Sequence, residues 1–169
     1  FKKYSFEFII FFRRFWIGLS VFYFLDVAGL YYNNFNLTVA ALFTLLLLSL
    51  SAYDIIEGEY IIWNSRTSPV RFIQNKIKTG VLNIVILGLP IILPLLGLFN
   101  DSFWFIILVS LIIFALLVLI IFMKYALFPC RMGVIEVLVL TAAVAIPGLI
   151  LIIYHYYFKK AKINLSKFL

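Results

Sequence analysis

The sequence predicts an all-α, polytopic transmembrane protein with about five membrane segments. Of its 169 residues 66% are hydrophobic and only 12% charged, with a mean hydropathy of +1.16. A soluble domain is roughly half apolar and a quarter charged, so this chain could not dress its core in polar surface. The apolar residues come in long runs, several near the ~20 residues that cross ~30 Å of hydrocarbon as a helix. The runs lack the period-two alternation of a membrane β-strand, and backbone groups in lipid must be satisfied within their own segment. Helices are what remains.

In chain order, the aromatic stretch 1–12, with Lys2, Lys3 and Glu7, reads as an interfacial helix that feeds the first span through Arg13 and Arg14. The spans are expected at Phe15 to Tyr32, Leu37 to Tyr53, Gly80 to Phe99, Phe103 to Leu127 and Val134 to Phe158. Short uncharged or acidic turns, Asn33 to Asn36 and Asn100-Asp101-Ser102, join the first to the second span and the third to the fourth. No repeat of fixed period and no Gly/Ser-rich linker divides the chain, so 1–169 reads as one transmembrane domain. Because the sequence opens with Phe1 rather than Met, a processed N-terminus or a partial chain is expected.

The net charge of +7 could suggest nucleic acid on a soluble chain. Here every Lys and Arg falls in a cluster beside an apolar run: Lys2 to Arg14, Arg66 to Lys78, Lys124 with Arg131, and Lys159 to Lys167. Such spacing is a topology and headgroup signal, so no nucleic-acid partner is expected. Positive-inside reasoning puts the N-terminus, the 54–78 loop and the Lys124 to Gly133 connection in the cytoplasm. The four C-terminal lysines conflict with five full crossings. Two readings of the last segment stand open: a single span kinked at Pro147-Gly148, or a re-entrant hairpin broken there.

The one sizeable polar segment is the 54–78 loop. Asp54 and Glu57 have capping-box spacing, which predicts a short helix there with Tyr60, Ile61 and Trp63 as its apolar side. Asn64 to Thr67 reads as a turn. Ser68 as N-cap and Pro69 at N1 then start a second helix. Val70, Ile73 and Ile77 form its apolar stripe, with Arg71, Lys76 and Lys78 elsewhere on the wheel. A connector this long exceeds what joining two helices needs. It reads either as a membrane-skimming link or as a docking element for a cytoplasmic partner, presenting Glu57, Glu59, Arg66, Ser68, Arg71 and Lys76.

On these residues the chain resembles the permease subunits of ABC type-2 exporters. The resemblance rests on a span ending in an acidic helix (Glu57, Glu59), a Ser65 to Pro69 turn, and a basic helix with Phe72 and Lys76 entering a span that holds Pro90 and Pro94. Lys124 to Pro129 is similar to a stretch of bacterial multi-pass ABC permeases. The likeness implies that 54–78 is a coupling helix seated on a separate cytoplasmic ATP-binding subunit. It further implies a second membrane subunit or a homodimer, and a bacterial inner (cytoplasmic) membrane. The family has six spans and five are visible here.

Catalytic chemistry is not expected. The chain has no P-loop, no H-E-x-x-H and no Gly-x-Ser-x-Gly. One histidine, His155, and one cysteine, Cys130, leave no basis for a metal site or disulfide framework, and no cofactor is implied. His155 belongs to an aromatic belt, Tyr154 to Phe158. Two acids, Asp26 and Glu136, lie inside apolar runs. Each sits near a boundary, where a helix-end or ion-paired role competes with intramembrane function. The leading expectation is thus an exporter permease subunit; the alternative is a non-transporting scaffold or accessory subunit of a larger membrane complex.

Overall fold

A computed structural model describes residues 6–99, 102–146 and 148–169. The Lys2/Lys3 pair, Asn100, Asp101 and Pro147 lie outside the described residues. Every regular element among those described is helical: α1 Phe6–Tyr31, α2 Phe35–Leu50, a 3-10 turn Ser51–Asp54, α3 Glu59–Trp63, α4 Pro69–Leu98, α5 Phe103–Leu127, α6 Val134–Ala145 and α7 Leu149–Leu165.

Local chemistry explains the boundaries. Asn34 caps α2, its side-chain oxygen accepting from the Leu37 amide at 3.1 Å. Ser68 caps α4 through the Arg71 amide, with Pro69 in the first turn. Glu136 reaches back to the Gly133 amide at 2.8 Å and holds the start of α6. The second helix of the loop runs into the third span as expected: α4 is continuous from Pro69 to Leu98, through Pro90 and Pro94. Likewise α1 is a single helix from Phe6 onward rather than an interfacial helix and a separate span.

Four described segments are long and apolar enough to cross a membrane: Phe6–Tyr31, Phe35–Asp54, Pro69–Leu98 and Phe103–Leu127. Their buried faces meet in one core that includes Leu19, Leu45, Leu46, Ile73, Ile84, Ile91, Ile113 and Leu117. Large apolar side chains such as Phe24, Leu93, Trp104 and Leu111 point outward. An apolar exterior of this kind suits lipid rather than water. This is a polytopic helical membrane protein.

The fifth stretch is two helices. Their direction follows from their contacts: Tyr154 donates to the Ala115 carbonyl at 2.8 Å, Phe158 packs on Phe122, Asn164 donates to the Tyr125 carbonyl and Phe168 meets Phe128. Rising numbers pair with rising numbers, so α7 lies parallel to α5. The intervening α6 must therefore run back against α5 before α7 returns. With 12 residues it rises only about 18 Å, too short to cross. The re-entrant arrangement, and not the kinked span, is the one the chain adopts. It places the C-terminal lysines at the same end as Lys124.

Candidate functional site

That end of the bundle gathers the start of α1, the 51–68 connection, the start of α4, the end of α5 and the end of α7. Inside it four charged side chains are almost fully buried: Glu7, Glu57, Lys76 and Lys124, each at most 4% exposed. Lys76 Nζ lies 3.0 Å from Glu7 Oε2 and also donates to Glu57 Oε1. Lys124 Nζ lies 2.5 Å from Glu7 Oε1 and 3.9 Å from Glu57 Oε1. With both carboxyls ionised the four charges alternate around a ring and sum to zero. Burying an ion costs several kcal/mol, and only multiple well-placed partners offset it.

Neighbouring groups complete the ring. Tyr125 donates its hydroxyl to Glu57 Oε2 at 3.1 Å. Its ring meets the Phe72 ring edge-on at 5.3 Å, and the two rings lie beside Lys124 and Lys76 at 5.3 and 5.8 Å. Gly80 leaves room for Tyr53, whose hydroxyl would stand 3.3 Å from a β-carbon there. Burial, reinforced by the adjacent Glu7 carboxylate, pushes the Glu57 carboxyl up to about 7 against the opposing pull of Lys76 and Lys124.

The docking residues expected from the sequence divide into two sets. Glu59, Arg66, Ser68 and Arg71 are exposed on the outer side of the connection. Glu57 and Lys76 are buried and bonded to each other. The capping-box reading of Asp54 and Glu57 is corrected: 51–54 is a 3-10 turn, the chain is non-helical from 55 to 58, and α3 starts only at Glu59 with Gly58 as its N-cap. Glu57 turns inward because two ammonium groups bind it more strongly than one amide could. Lys76 is corrected too. It lies on the buried face of α4 with Phe72, Thr79, Gly80 and Asn83. The Asn64 to Thr67 turn forms as expected, with Arg66 at φ 47°.

An open cleft of about 490 Å³ runs along the outer side, lined by Trp63, Arg66, Thr67, Ser68, Pro69, Ser166 and Leu169. Glu136 sits at the helix end, as its boundary position suggested. Asp26 does not: it lies inside α1, 3% exposed. Glu7, Lys124 and Tyr125 were not among the candidate site residues read from the sequence. The available signal was Lys124 closing a long apolar run and Glu7 standing as the sole acid before Asp26.

Among the described residues no group of three or more His, Cys, Asp or Glu side chains is placed to hold a metal. The fold and the cluster define a multi-pass helical membrane protein whose charged chemistry is concentrated at one end. No family model, curated protein or solved structure matches the chain.

Proposed function

We propose that the chain is the membrane-embedded permease subunit of an ABC-type exporter, docking a separate cytoplasmic ATPase through the 54–78 loop. One observation carries this reading: the loop has an outward polar face and a buried anchor. Glu59, Arg66, Ser68 and Arg71 are all exposed, and Arg66 and Ser68 line the cleft of about 490 Å³. Behind them Glu57 is bonded to Lys76 of α4 and Tyr125 of α5, and Lys76 together with Lys124 of α5 holds Glu7 of α1. A displacement of the docked loop is thereby passed to three spans at once. The charged end faces the cytoplasm, and the membrane is the bacterial inner membrane. With the C-terminal lysines at that end, every described basic cluster obeys the positive-inside rule.

A scaffold or accessory subunit is the second reading. It is favoured by the hydroxyls of Ser20, Thr44, Ser110 and Thr141, each of which bonds a carbonyl of its own helix rather than lining a shared polar face. Gentle extraction from the native host and mass spectrometry of the co-purifying proteins separates the two. A stoichiometric P-loop ATPase, lost from the Glu59→Gln/Arg66→Gly variant while its melting temperature is kept, supports the exporter. Only membrane proteins in the eluate would transfer the assignment to the scaffold. Arg66→Gly suits this test because glycine adopts φ 47° without strain.

A further inference from the structure

The charged cluster uses Glu7 and Glu57 at one end; Asp26 belongs to the other. It sits on the face of α1 that carries Leu19, Asp26 and Gly29 inward, the face along which α1 pairs with α2. Its Oδ1 atom is buried with no hydrogen-bond partner. The closest hydroxyl on its own helix face, Tyr23, is committed to the Leu87 carbonyl of α4 at 2.5 Å.

No cation among the described residues is in reach. Arg14 is about 18 Å away along the helix axis. The elements packed against this half of α1 carry no titratable side chain: none lies in α2 from Phe35 to Leu50, and none in α4 from Val81 to Leu98. A carboxylate left this way in hydrocarbon is strongly disfavoured, and neutralisation is the cheapest remedy. A metal cation would need several oxygen ligands, and the helix carbonyls around Asp26 are engaged in their own ladders.

We propose that Asp26 is an intramembrane proton-binding site, a carboxyl carried in its protonated form between α1 and α2. Its proton exchanges with water from the Asn33-Asn34 end. Polar groups mark that route. One turn beyond Asp26, Gly29 brings α1 so near Thr38 that a β-carbon would lie 3.0 Å from the Thr38 nitrogen. The buried Thr38 hydroxyl in turn donates to the Asn34 carbonyl at 3.1 Å, at the exposed turn. The site is independent of the exporter reading, since a scaffold could carry it equally well.

The chain has three aspartates, Asp26, Asp54 and Asp101, which makes the test selective. The full chain, grown with carboxyl-13C aspartate and reconstituted in lipid vesicles, is studied by infrared spectroscopy at neutral pH. Expected is a carbonyl stretch of a protonated carboxylic acid that shifts with the 13C label, which distinguishes it from Glu57. It should shift again in heavy water and disappear in Asp26→Asn. Should Asp26→Asn fail to fold, Asp54→Asn and Asp101→Asn together must leave the band in place, assigning it by elimination. Carboxylate bands alone at neutral pH, with or without dependence on sodium, would overturn the proposal. So would a labelled acid band that heavy water leaves unmoved, because the proton would then not exchange.

Discussion

At the scale of single residues the ring of Glu7, Lys76, Glu57 and Lys124 makes the sharpest predictions. Removing one partner of a buried charge set leaves the others uncompensated, which costs about 3–5 kcal/mol. Lys76→Met should therefore lower the melting temperature of the detergent-solubilised protein substantially. Adding Glu57→Gln should recover part of the loss, giving a coupling term in the double-mutant cycle; strict additivity would show that the two side chains do not interact. Glu57 also sets a pH dependence. Its folded pKa is raised from 4.5 to about 7, so the folded state keeps a proton that the unfolded chain has lost. The contribution of Glu57 to stability is then fully present below 4.5 and is lost as pH rises through about 7. Thermal melts across that window should fall with pH in the native chain and fall less steeply in Glu57→Gln. A rise across the same window would reverse the assignment. These residues were only half legible in the sequence. Glu57 and Lys76 stood out by lying in the polar loop, but an acid and a lysine at capping and wheel positions look the same whether they face water or each other.

Between elements, α1 approaches α2 at Gly29 and Thr38 more closely than any other glycine approaches a neighbouring element. A larger side chain at Gly29 would strike Thr38 backbone, which cannot rotate away. Gly29→Leu should cost about 1–3 kcal/mol by overpacking, read as a drop in melting temperature. Gly58→Ala serves as the control, since no heavy atom lies within 4 Å of a β-carbon there. A Gly29→Leu protein as stable as the native one would mean the two helices are not packed at this point. The α5–α7 contact has its own fastening: Asn164 donates to the carbonyls of Tyr125 and Phe128 at the end of α5, which satisfies groups a helix end leaves open. Helix identity and the Ser68-Pro69 start of α4 were readable in the sequence, because the apolar runs and that cap act through neighbours three or four positions away. The 55–58 stretch was not, because its conformation depends on Lys76 and Tyr125, 19 and 68 positions from Glu57.

For the whole molecule, the return of α7 places both the 54–78 loop and the C-terminal tail at one end, with the Asn33-Asn34 turn at the other. Single cysteines test this in a Cys130→Ser background. Glu59→Cys and Lys167→Cys should react with a membrane-impermeant maleimide from the same side of sealed vesicles, and Asn36→Cys from the opposite side. Labelling of Lys167→Cys together with Asn36→Cys would restore the single kinked span. The side on which Glu59→Cys reacts also fixes the orientation that the positive-inside rule assigns.

Composition and periodicity by themselves determined that this chain is helical, that it belongs in a bilayer, and where four of its spans lie. These are properties of consecutive residues, and hydrocarbon enforces them segment by segment. Tertiary structure decided the rest. A proline-glycine pair permits either a kink or a return, and the face of α5 that receives Tyr154, Phe158 and Asn164 selects the return. Whether a lysine snorkels to water or closes an ionic ring likewise depends on which acids other helices bring to it. Asp26 is set apart for the same reason: the helices packed around it offer no partner.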